Sequence, residues 1–234
     1  MLSLTYGRGQ VEWALWRTFA HNSATRGAPP KAFGTRVKRL LEIARDMALS
    51  DREAQLGTDF AFVAPPEKRG GDVNFAPFDA FCLAVALELL DAGFKQSEVV
   101  FLMRHVRIEL ERRFERILEG PNLNARRRSL AAKYPNLPAE KREGKAYADG
   151  RIFLLIKKFE ITEALTSPKL AGHTDPLFLE PVFCHGIEDL AGTLSEAMPD
   201  HRRVVTVVEL AATAQAVCAF LEQAPHIRRG RPKS

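Results

Sequence analysis

Cysteine is scarce in this chain: three in 234 residues, Cys82, Cys184 and Cys218, far apart and with no CxxC pair. An odd number at wide spacing supports neither a disulfide framework nor a thiolate metal knuckle, and leaves small buried apolar side chains as the expected role. No stretch approaches the roughly 20 uninterrupted apolar residues of a membrane span. The opening MLSLTYGRGQVEWALWRTF has no basic segment leading into an apolar one, so no secretory leader is expected and the chain reads as cytoplasmic. Internal repeats are lacking, and so is a phosphate-cradling loop, because YGRGQ has two glycines but no strand ahead of it. Reaction chemistry is present only in fragments. His173, Asp175, Glu188 and Asp189 are metal-capable types without a recognised spacing, and Cys184 and His185 would point to opposite sides of an extended chain. No catalytic residue, metal or cofactor is expected.

What is present suits a globular protein: 46% hydrophobic and 27% charged residues, enough chain for one large core or two modest ones, and a formal charge of +5. A basic excess of that size favours polyanionic partners, and its distribution decides whether it matters.

Along the chain, Val11, Ala14, Leu15 and Phe19 recur at helical spacing with Trp13 and Trp16 beside them, predicting a first helix over about 8–21. After the breaker run HNSATRGAPP, Phe33, Val37, Leu40, Leu41, Ala44, Met47 and Ala48 form one apolar stripe of a second helix, about 31–48, whose far side carries Thr35, Lys38, Arg39 and Arg45. Phe60 and Phe62 then alternate with small residues, PPEKRGG supplies turn chemistry, and Val73–Phe75 resumes an extended pattern. That predicts a hairpin over about 59–76 with Lys68 and Arg69 at its tip. FAPFDAFCLAVALELLDAGF gives an apolar helix from Pro77 to Asp91 closed by Gly93. A longer helix follows between Gln96 and Leu118, with Phe101 and Ile108 on the side opposite its main stripe, which calls for a second partner, either other parts of the chain or a second subunit.

Residues 119–150 hold prolines, glycines and the cluster Arg126, Arg127 and Arg128 with little apolar periodicity, and read as a basic linker. Beyond it, RIFLLIKKFE, PLFLEPVFC and RVVTVVEL read as strands, and 186–198 and 209–223 as helices. The expected class is α+β: a mainly helical N-terminal domain with a hairpin wing over 1–118, the linker, and a small α/β domain over 151–224. That second domain is expected either to sense a ligand, which the sequence does not identify, or to hold two chains together. Phe153, Phe178 and Phe183 are core candidates that would also suit a pocket.

Helix, helix, hairpin, helix, long helix, with cations on the second helix and at the hairpin tip, is the order a winged-helix DNA-binding module needs. The stretch VNFAPFDAFCLAVALELLDAGFKQSEVVFLM, through Phe75, Phe78, Gly93, Phe94, Glu98 and Val99, resembles the segment after the wing in MerR-family transcription regulators. The resemblance covers about 8–118. Double-stranded DNA is the expected partner, and a homodimer is expected because two groove helices on one duplex turn weak half-site contacts into a tight, symmetric reading of an inverted repeat. On the physical reading Thr35, Lys38, Arg39 and Arg45 contact phosphates or base edges, Arg36 lies at their flank, and Lys68 and Arg69 contact backbone from the wing. Solvation, with Glu42 and Asp46 as local partners, is the alternative for those helix cations.

The tail HIRRGRPKS contains Arg229-Gly230-Arg231-Pro232, which resembles the Arg-Gly-Arg-Pro core of the AT-hook. An extended Gly-Arg-Pro backbone is thin enough for a narrow minor groove, with Arg228, Arg229, Arg231 and Lys233 acting by counterion release; an unstructured solubilising end is the alternative. The expectation is a bacterial-type, nucleoid-associated transcription regulator. Its rivals are an architectural or mobile-element accessory protein of low sequence preference, and a small-molecule-binding protein or enzyme.

Overall fold

The structure, a computed structural model, describes residues 4–20, 28–53, 60–64, 73–121, 123–148, 150–157, 181–196 and 205–225. It is mixed helix and sheet, mostly helical with small antiparallel sheets, in agreement with the α+β class. In chain order, β1 (Tyr6–Gly7) leads into α1 (Arg8–Phe19), and α2 (Lys31–Glu53) follows. Next come β2 (Asn74–Phe75), α3 (Pro77–Asp91) and α4 (Gln96–Glu119), then α5 (Leu123–Lys133) and α6 (Ala139–Ala148). The last part is β3 (Ile152–Lys157), β4 (Val182–His185), α7 (Gly186–Glu196), β5 (Val205–Glu209) and α8 (Ala211–Gln223).

The ends of α3 and α4 are fixed by local chemistry. Pro77 sits in the first turn of α3, where its missing N–H costs nothing, and the Asp79 carboxylate accepts the Ala76 N–H at 2.8 Å. At the other end Gly93 adopts φ 84, so its N–H reaches the Leu90 carbonyl (3.0 Å) and that of Phe94 reaches Leu89 (3.1 Å). This is a Schellman closure, which a side chain at position 93 would strain. Two residues later the Glu98 carboxylate accepts the Lys95 N–H at 2.8 Å and starts α4.

α3 is apolar on every side. Eleven of its residues are buried, from Phe78 to Leu89, and it packs against α1, α4, α8, β2 and β5. Phe81 stacks on Phe114 of α4 with centroids 5.0 Å apart, and Phe78 leans on the same ring at 5.6 Å. The sheet β4-β3-β5 is antiparallel throughout, with Leu154 opposite Phe183 on one side and Val208 on the other. Alternation along β3 splits its side chains. Ile152, Leu154 and Ile156 join the main core, whereas Phe153 and Leu155 join Cys184 in a second cluster that Leu190 and Leu194 of α7 pack against.

Three expectations need correction. The segment 119–150 is not a linker but carries two helices, α5 and α6. Their weak apolar pattern misleads because Leu130 and Ala146 are their main buried side chains, and Arg127 binds Glu143 through both carboxylate oxygens, 16 residues on. Second, the parts on either side of that segment share one core. Val208, Leu210, Ala214, Val217 and Leu221 belong to the same buried cluster as α1 to α4, and Trp13 meets Phe220 edge-on at 6.4 Å. Third, β2 does not pair with residues 60–64, of which 61–63 form bends. It pairs with β1, Tyr6 opposite Phe75 and Gly7 opposite Asn74. The remainder of the expected hairpin, with Lys68 and Arg69, lies outside the described residues, as do Phe178 and the tail from His226 onward. Among the described residues no helix is long and apolar enough to cross a membrane.

Glu88 of α3 crosses to α8, where the Thr213 hydroxyl donates to its Oε1 at 2.8 Å. Burial pushes the Glu88 carboxyl up to about 7, with Glu209 and Asp91 adding to the rise against the Thr213 hydrogen bond. A carboxyl whose folded-state value is raised stabilises the fold fully below its ordinary value of 4.5, and that stability is lost as pH rises through about 7. Glu88→Gln keeps an acceptor for Thr213 without the charge. Thermal melts at pH 5 and pH 8 should therefore fall less for Glu88→Gln than for wild type, the difference being on the order of 2 kcal/mol; equal falls would contradict the assignment.

Candidate nucleic-acid interface

α2 buries Phe33, Val37, Leu40 and Ala48 and turns Thr35, Lys38, Arg39, Arg45 and Asp46 to solvent. The stripe is spaced at three and four residues, so the exposed edge follows from the buried one. The expected groove residues of α2 therefore do lie along one exposed edge. Their immediate partners are acidic or local. Thr35 Oγ1 donates to the Lys31 carbonyl at 2.9 Å, Lys38 Nζ lies 3.4 Å from Glu42, and Arg45 lies 3.2 Å from Asp46. Arg36, expected at the flank, is half-buried and donates to Asp91 at 2.6 Å, tying the start of α2 to the end of α3. Such exposed pairs contribute about 0–1 kcal/mol each, so a phosphate replaces the carboxylate at small cost. Arg36 holds two elements together and is the least suited to leave its partner.

A second basic surface was not expected as structure. α5 and α6 pack chiefly on one another, and between Leu123 and Ala148 the chain has seven Lys or Arg against two Glu. The side chains of Arg128, Lys133, Lys141 and Lys145 are exposed. Arg127 is held by Glu143, whose carboxyl the guanidinium keeps below the usual carboxylate range.

The segment 60–64 carries the root of the expected wing. Ala61 and Phe62 are buried, and their carbonyls accept hydrogen bonds from Arg107 of α4. The same guanidinium donates to Asp79 Oδ1 at 2.7 Å and lies 4.8 Å from the Phe78 ring centroid. One planar cation thus binds a chain segment to α3 and α4 at once, which is why Phe60 and Phe62 alternate without forming a strand.

Of the chemistry-bearing fragments, Cys184 is buried with its Sγ 3.3 Å from Thr193 Oγ1, and His185 faces outward on the same strand. Cys82 is fully buried and Cys218 partly so, and burial raises both thiols, Cys218 to about 11. Among the described residues no three His, Cys, Asp or Glu side chains gather as metal ligands. His173 and Asp175 lie outside the described residues.

Sequence reading missed a cleft of about 740 Å³ lined by Arg116, Arg126, Arg151 and His185, which come from α4, α5, the start of β3 and the end of β4. The available signal is that Arg151 and His185 each adjoin a glycine, Gly150 and Gly186, where the backbone turns closely; Gly186 adopts φ 85 and its N–H reaches the Arg151 carbonyl at 2.8 Å. Comparison of the chain with protein-family models, with curated proteins and with solved structures gives no match in any of the three.

Removing Arg107 leaves Asp79, 7% exposed, without its cation and the 61–62 carbonyls without their donor. Arg107→Ala should lower stability by about 3–5 kcal/mol in urea unfolding, and Arg107→Lys should recover less than half, because a point cation does not reach all these acceptors in one plane. Full recovery by lysine would show that charge alone matters there.

Proposed function

We propose that the protein is a transcription regulator that binds double-stranded DNA through the outer edge of α2. The observation that carries the reading is the placement of Thr35, Lys38, Arg39 and Arg45 together on the uncovered side of a 23-residue helix. Such a helix is about 34 Å long and narrow enough for the major groove. Lys38 and Arg45 exchange weak carboxylate partners for phosphate, and Arg39 is exposed beside them. Lys68 and Arg69, between Phe62 and β2 in the sequence, and Arg228, Arg229, Arg231 and Lys233 near its C-terminal end add backbone and minor-groove contacts in this reading. Two copies on an inverted repeat would turn modest half-site contacts into tight binding. The exposed Ile108 of α4, 66% accessible, is available to such a pairing.

The basic α5–α6 pair favours a second reading, an accessory protein that coats DNA with little sequence preference. Competition against random duplex separates the two, since a regulator retains a preferred fragment and an accessory protein does not.

Gel-shift titrations over a salt series test the α2 assignment. Replacing both Lys38 and Arg39 by Ala should weaken duplex binding at least tenfold and lower the slope of log affinity against log salt by about 2, with the circular dichroism spectrum unchanged. An unchanged affinity and slope would remove α2 from the interface.

A further inference from the structure

We propose that the cleft between α4, α5, β3 and α7 binds a small phosphorylated ligand, with Arg116, Arg126 and Arg151 holding the phosphate and Ile117, Ile152 and Ile187 lining an apolar floor. The site is separate from the α2 edge and does not depend on the DNA-binding reading. Its volume of about 740 Å³ falls in the range of small-molecule sites, roughly 300–1,000 Å³.

Three guanidinium-bearing residues drawn from separate elements line one cleft, and an anion placed in it is attracted by all three. His185, on the same wall, is held below the ordinary imidazole value chiefly by burial; Arg113, outside the cleft, and Arg116 of the cleft lower it further, against the opposing pull of Asp189 and Glu109. Acidic groups oppose part of that charge. Glu188 lies on the rim, and Glu209, whose oxygens accept the Ala211 (3.1 Å) and Ala212 (2.9 Å) N–H groups at the start of α8, also attracts Arg151 and Arg126. Asp189 accepts the backbone N–H of His185 at 2.6 Å.

The cleft is also shaped to hold one of its cations. Arg126 Nε donates to the Pro121 carbonyl at 2.8 Å, which directs the guanidinium over Gly150, where any Cβ would fall inside it. Glycine at 150 is thus the space that Arg126 occupies. Planar, fixed guanidinium groups match phosphate oxygens in pairs, and the isoleucines suit a bulkier apolar or planar portion of the ligand.

Isothermal titration of the full chain with inorganic pyrophosphate and with magnesium-free ATP tests the proposal. Wild type should bind both, ATP the more tightly because its nucleoside portion reaches the isoleucine floor. Arg126→Ala and Gly150→Ala should each weaken ATP binding at least tenfold without moving the melting temperature by more than a few degrees; the second displaces Arg126 without removing it. The Lys38, Arg39 double alanine variant should bind ATP as wild type does, so a failed DNA assay leaves this result standing. Lack of saturable binding of either probe at millimolar concentration, or equal binding by wild type and both cleft variants, overturns the proposal. Lowered duplex affinity in Arg126→Ala while neither probe binds also overturns it, assigning the cleft to the DNA backbone instead.

Discussion

A helix without a polar face cannot stand at a surface, and α3 is such a helix. With Phe78, Phe81, Leu83, Val85, Leu87 and Leu89 all inside, it must be enclosed, and α1 and α4 do not suffice. α8 and β5 complete the enclosure. This one demand places the C-terminal sheet against the N-terminal helices, sets the inward face of β3 through Ile152, Leu154 and Ile156, and makes the antiparallel sheet a wall of the main core.

The demand also sorts the charges. Elements that close around α3 carry their cations in fixed partnerships, such as Arg107 with Asp79 and Arg17 stacked over Trp13 and Phe220. Elements that contribute less to the enclosure, the outer edge of α2 and the α5–α6 pair, carry cations whose partners are exposed carboxylates. Positive charge available for exchange therefore collects away from the apolar centre, where water screens it and where a polyanion has access.

How much of this was legible in the sequence depends on how local each determinant is. α3 was readable to the residue, Pro77 to Asp91, and α4 to within one residue, because proline, aspartate, glycine and glutamate at their ends act over two to five positions. Phe75, Phe78, Gly93, Phe94 and Glu98 fill such local roles here: buried anchors, the glycine turn and the α4 cap. The bent segment at 60–64 was not readable, since its carbonyls are held by Arg107 more than 40 residues away. Nor were α5 and α6, whose Arg127–Glu143 link is equally remote from any periodicity, nor the single main core shared across that segment, because a run rich in Pro and Gly signals a boundary only if the parts beyond it do not need each other. The exposed edge of α2 was legible as the complement of its stripe. The arginine cleft was not, as its residues are scattered from 116 to 188.

The route by which α3 is enclosed has a temporal side. The stretch from Asp91 to Ala211 spans 120 residues. A ribosome adding about 5–20 residues per second therefore exposes the greasiest segment of the polypeptide for roughly 6–24 seconds before α8 begins to emerge. During that interval the apolar surface that α8 covers in the folded chain is without that partner, which ties completion of the core to the arrival of the closing helix.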